Sequence, residues 1–168
     1  ARVCDTKSWA LYADVRGSQK FSVAQISVAP GTDEKKRSAF SGPPKRIAID
    51  PEFFKRLDSR IQTLSKAGIL CAITPLLELN RPGPGAEVAT DQAALLVRYI
   101  VARYNADAVA WVIAFDSQAR AKAAARWKEI GKFPFAESPH APVILYPGSI
   151  HGVLDEFRQE TWVDVFAA

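Results

Sequence analysis

Methionine is missing from all 168 residues, position 1 included. Translation starts on methionine, so the chain is expected to be a processed or excised piece. Histidine and cysteine are scarce, with two of each. Two isolated histidines without ligand spacing argue against a zinc site, and no cofactor is expected. Cys4 and Cys71 are too far apart in sequence for metal or redox spacing. Cys71 lies in an apolar run and reads as a small buried core residue. No apolar run approaches the ~20 residues that cross a bilayer, and no secretory h-region opens the chain. No membrane association is therefore expected. No glycine-rich loop follows a strand pattern, which removes the phosphate-cradle and dinucleotide fingerprints. Strong charge of one sign is also missing, since the net charge is only +4. The basic residues cluster only at Lys35, Lys36 and Arg37 and at Lys45 and Arg46, with Phe40 the one aromatic among them. A nucleic-acid surface usually interleaves several aromatics, so no nucleic-acid partner is expected.

What is present reads as an ordinary globular chain, 48% hydrophobic and 24% charged, of single-domain length. Helix and strand patterns alternate. Residues 5–20 predict a helix with Trp9, Leu11, Tyr12 and Val15 available for packing. Residues 21–28 alternate apolar and polar side chains, a strand signature that Pro30 and Gly31 break. A long polar loop is expected up to about Asp50. Asp50 and Pro51 then form an N-cap and first turn, and Phe53, Phe54, Leu57, Ile61 and Leu64 recur at helical spacing. Gly68 is expected to end that helix. Residues 69–74 form a nearly continuous apolar strand, which implies burial on both faces. Thr90 or Asp91 is expected to cap the next helix, with Ala94, Leu95, Val97, Ile100, Val101 and Tyr104 on its packed face. Strand 109–115, helix 118–130, strand 143–146, a helical turn near 154–157 and strand 161–166 complete the series. Strands separated by helices run parallel with right-handed crossovers. Five strands fit either an open α/β sheet or an internal portion of an eight-stranded barrel.

Asp116 is the most informative residue. It ends the run 108–116, and a carboxylate just past a buried parallel strand sits where α/β folds place their chemistry. It also precedes a helical run, so an N-cap role stands beside the chemical one, and the two coexist readily. Glu78, past the apolar core of its strand, is the best second carboxylate. Asn80 is a candidate hydrogen-bond partner for a sugar, and His151 is a candidate rim imidazole. The competing reading for Glu78 and His151 is a solvated surface residue. Asp164, flanked by Val163 and Val165, is expected either in the barrel interior or paired with a base, with structural pairing the favoured reading. His140 precedes a strand and so belongs to the opposite face.

The ordered motifs resemble the apiosidase-like (β/α)8 glycoside hydrolase domains. That family has Lys-Gly-Phe-Asn leading into a Val-Gln strand, matched here by residues 19–25. A Phe-Phe helix ending at Ala-x-Gly-Ile corresponds to Phe53 and Phe54 through Ile69. Tyr99 with Arg103 and Tyr104 follow, then a Trp-containing strand closing on Gly-Gly-Asp, matched by 111–116. The later His-Pro, Ser-rich loop and Trp-Leu-Asp strand correspond to 146–149, Phe157 and 162–164. The resemblance implies that Asp116 is the catalytic acid/base and that the nucleophile is a Glu on a strand past Ala168. It also implies a secreted or periplasmic setting. Two positions depart from the pattern. Ala114 and Phe115 replace the two glycines, and Tyr146 replaces the histidine.

The reading is therefore a parallel (β/α) barrel of TIM type, incomplete at about five strands. Residues 1–168 are one domain of this kind or its central fragment. The expected function is hydrolysis of a poly- or oligosaccharide by two carboxylates, with Glu78, Asn80, Tyr146 and His151 on the carbohydrate. The alternative is an inactive carbohydrate-binding relative, suggested by the two departures.

Overall fold

Asp50 shows how local signals become structure in this chain. In the computed structural model, which describes residues 5–77, 87–114, 120–137, 139–146 and 153–167, its carboxylate accepts from the amides of Glu52 and Phe53. Pro51 fills the first helical position, where no N–H is needed, and α2 runs Pro51–Lys66. Its five expected apolar residues are all buried. Gly68, at φ +73°, takes the left-handed turn beyond the helix end that only glycine adopts without strain. The Asp5 carboxylate accepts from Ser8 N at 2.8 Å and caps α1 (Thr6–Ser18). Only Ala13 of α1 is buried. Contrary to the packing expected, Leu11, Tyr12 and Val15 are exposed, while Trp9 is half-buried and donates to Arg60 O.

The strands β1 (Val23–Ala29), β4 (Leu70–Leu76), β5 (Val109–Ala114), β6 (Val143–Tyr146) and β7 (Val165–Phe166) form one five-stranded sheet in that order. Every neighbouring pair is parallel. The strand order follows chain order without reversing. A doubly wound sheet reverses at a switch point, whereas a barrel adds each strand on the same side. The helices cover one face. Cys71 and Ile73, Trp111 and Ile113, and Val143 and Leu145 point into the main core with the apolar sides of α2 and the next helices. Among the described residues the opposite face carries a small cluster of Ala72 and Val112, with Leu77 and Ile144 against it, and the buried Thr74. This is the side layering of part of a (β/α) barrel, with its inner face open.

Four elements depart from the sequence expectation. The loop after β1 is built rather than irregular, since β2 (Phe40–Ser41) and β3 (Ala48–Ile49) pair antiparallel within it. Helix α3 (Thr90–Tyr104) starts after Ala89 and has no side-chain cap, so neither Thr90 nor Asp91 plays that part. Its packed face is Ala93, Leu96, Val97, Ile100, Val101 and Tyr104, and Leu95 is 47% exposed. The start of α3 is instead tied by Arg126, which donates to Thr90 Oγ1 and Val88 O. Helix α4 (Arg120–Gly131) continues into a π-helical turn, Lys132–Ala136, that buries Pro134 and Phe135. The last strand is only two residues long because Trp162 turns into the core and stacks on Phe135, with Phe157 of α5 (Val153–Phe157) edge-on to it.

Candidate active site at the C-terminal edge of the sheet

Because all five strands are parallel, their C-terminal ends form one edge. The segments leaving that edge are those singled out in the sequence. Asp116 is the second residue past the end of β5, Glu78 the second past β4, Asn80 the fourth, and His151 the fifth past β6. These four residues lie outside the described part of the chain. Tyr146 is within it. It is the last residue of β6, is paired in register with Ala114 of β5, and is 45% exposed. Alternation places its ring on the side of Ile144, the open inner face.

Two inner-face residues escaped the sequence reading. Gln25 of β1 donates through Nε2 to Thr74 Oγ1 of β4 at 3.2 Å. Thr74 is fully buried, one of few polar side chains in the core. The available signal was a hydroxyl set in an otherwise apolar strand, directly across from the polar positions of β1.

A second omission is the ion cluster just beyond β1. Asp33 is 3% exposed and accepts from the amides of Lys35 and Arg37 and from the Arg56 guanidinium. Burial alone would raise its carboxyl. The Arg37 amide, the Arg56 guanidinium and the Lys35 amide outweigh that and hold it below the usual carboxylate range. Arg60 of α2 pairs with Glu34 beside it. The cluster pins the loop to α2 and leaves Asp33 no capacity for acid–base work.

Other titratable groups sit away from the edge. Asp58 of α2 binds Arg103 through both oxygens, at 2.8 and 2.6 Å, and accepts from the Tyr104 hydroxyl at 2.9 Å. Tyr104 closes α3 just before β5 begins, so this clamp belongs to the opposite edge. Asp164 accepts from Val143 N at 2.8 Å, with His140 Nδ1 3.9 Å away. The role is structural, and the hydrogen-bond partner is a backbone amide. Cys71 is buried in the core, and desolvation pushes its thiol up to about 12. Among the described residues no three His, Cys, Asp or Glu side chains gather as metal ligands. Among them, too, no helix is long and apolar enough to cross a membrane.

Similar architecture is found in solved structures. A protein titled "Glycoside hydrolase" matches 96% of this chain with a TM-score of 0.78 and 16% identity. A glycoside hydrolase family 5 structure from Bacteroides vulgatus ATCC 8482 matches 96% with a TM-score of 0.78 and 12% identity. The chain spans 37% and 36% of those two proteins. At such identities the likeness is one of fold, and it agrees with the unreversed strand order. No curated protein matches the sequence significantly. The family described as "Apiosidase-like, catalytic domain" matches residues 1–168, and the chain belongs to that family.

Proposed function

We propose that these residues form the central part of a (β/α)-barrel glycoside hydrolase in which Asp116 is the general acid/base. The observation that carries the reading is the parallel edge itself. Strand β5 stops two residues before Asp116, and its last residue is paired with Tyr146 of β6. Cleavage of a glycosidic bond needs a protonated carboxyl near the leaving oxygen and a second carboxylate across the sugar. Asp116 gives its proton to the glycosidic oxygen as the bond breaks, then takes one from the water that completes hydrolysis. Glu78, Asn80, Tyr146 and His151 contact the carbohydrate. The nucleophile is not assigned to any residue of this chain.

The experiment is reducing-sugar release from soluble neutral polysaccharides by the protein as its source makes it, beside its Asp116→Asn variant. General acid–base catalysis contributes typically 10²–10⁴-fold, so a loss of about that size is expected. Equal rates from the two proteins would refute the assignment. A second reading, a carbohydrate-binding relative without activity, draws on Phe115 and Tyr146, where the family pattern has Gly and His. It predicts sugar binding with no release from either protein.

A further inference from the structure

The loop between β1 and α2 holds a concavity that this reaction does not use. It has a volume of about 420 Å³ and is lined by nine residues, among them Pro30, Thr32, Ser38, Phe40 and Ser41, none of them charged. It opens beside Ala29, the last residue of β1, and so at the same edge as the residues leading to Asp116. We propose that it is a subsite for a neutral sugar unit of the substrate, an inference that rests on the hydrolase reading above.

Three features select that ligand. Phe40 is half-buried, packed against the core and among the residues lining the concavity. An aromatic side chain of this kind suits the C–H face of a sugar ring. Thr32, Ser38 and Ser41 are exposed residues that bring three hydroxyls to the lining. Each can both donate and accept, as sugar hydroxyls require, whereas an aliphatic ligand would leave them dry. None of the nine lining residues is charged, and the nearby Asp33 carboxylate is neutralised by Arg56, so the lining itself offers an anionic sugar no cationic partner.

The walls are also set in advance. Thr32 bridges to Ser38, while Phe40 and Ser41 pair with Ile49 and Ala48. Gly42 takes φ +93°, and a Cβ there would come within 2.7 Å of Arg46 O. A preformed site spends less of its binding energy on ordering. Strand β4 alone separates β1 from β5, so the strand that leads into the concavity lies ~10 Å from the strand that leads to Asp116 at ordinary strand spacing. That separation suits a sugar unit removed from the scissile bond.

Calorimetric titration tests this on the Asp116→Asn protein, whose turnover is expected to be about 10²–10⁴-fold slower. The probes are tetrasaccharides of glucose, xylose, arabinose and galactose, with tetragalacturonate as the anionic comparison. At least one neutral probe should bind more tightly than tetragalacturonate, and Phe40→Ala should weaken it about tenfold or more. Thr32→Val with Ser41→Ala, which preserves shape, should weaken it as well and guards against misfolding of the Phe40 variant. No binding of any neutral probe, or unchanged affinity in both variants, overturns the subsite. Hydrolysis lost in Asp116→Asn with Phe40-independent binding sinks the subsite alone. Phe40-dependent binding without hydrolysis sinks the hydrolase reading alone.

Discussion

At the scale of single residues, the chain spends its buried charge on loop architecture. Asp33 and Arg56 share a desolvated ion pair, 3% and 19% exposed, between the loop after β1 and α2. Removing one member of such a pair strands the other charge and costs roughly 3–5 kcal/mol. Asp33→Ala should therefore lose about 3 kcal/mol in urea denaturation, and an unchanged midpoint would show the pair to be idle. Because the Asp33 carboxyl is depressed in the folded state, its contribution is present above the unfolded value, about 3.9. It is lost as pH falls below that toward the folded value. Stability should drop below about pH 4, and part of that slope should vanish in Asp33→Asn. Cys71 titrates the other way. With its thiol raised to about 12, it contributes fully below the unfolded value, about 8.5, and the contribution is lost as pH rises toward the folded one. The native thiol should resist alkylation at pH 8 and react at once in denaturant. Rapid labelling of the native protein would contradict the burial.

At the scale of elements, legibility depended on whether the signals were local. Helix α2 could be read whole because its cap, first-turn proline, apolar spacing and terminal glycine all sit within residues 50–68. Helix α3 could be located but not oriented. Leu95 and Leu96 are identical in chemistry and adjacent in sequence, and only packing against the sheet decides which is buried. Leu96→Ala should cost about 2–5 kcal/mol as a core truncation, and Leu95→Ala within about 0.5 kcal/mol. Equal costs would mean that the helix face is misassigned. The β2–β3 hairpin left no periodic trace, since each strand is two residues long. Contacts from distant residues fix it, including the Asp50 amide on Ala39 O and the Ile47 amide on the Gln92 side chain. Gly42 is the residue in it that sequence could have marked. Gly42→Ala should lower stability by more than about 1 kcal/mol, since its φ is closed to alanine and the site has no room. A neutral substitution would mean that the turn relaxes freely.

At the scale of the whole molecule, alternation of strands and helices announced a parallel sheet, and the unreversed strand order makes it part of a barrel. Composition and periodicity could not choose between barrel and open sheet, because both bury the same strand types. The choice needs the order in which strands pair, a long-range property. Among the described residues no strand pairs with the outer edges of β1 and β7, and a groove of about 650 Å³ follows β1 between Trp9, Tyr12, Phe53 and Leu57. A groove along an unpaired strand edge is the space an added strand fills, and the rim-loop concavity adjoins it at Pro30, Gly31 and Thr32 and extends from there over residues 38–42. Of the site residues read from sequence, Tyr146 alone falls within the described chain, and it stands at the end of its strand with its ring exposed. It was legible because strand ends are marked locally, here by Pro147 and Gly148. The pairing of Gln25 with Thr74 was not, because it joins residues 49 apart in sequence.

The most direct test compares leaving groups. Hydrolysis of an activated nitrophenyl glycoside needs little help from an acid, whereas an alkyl or sugar leaving group needs its oxygen protonated. The account predicts that Asp116→Asn slows cleavage of the unactivated oligosaccharide by about 10²–10⁴-fold while cleavage of the nitrophenyl glycoside falls far less. An equal loss on both substrates, or none on either, would contradict Asp116 as the proton donor.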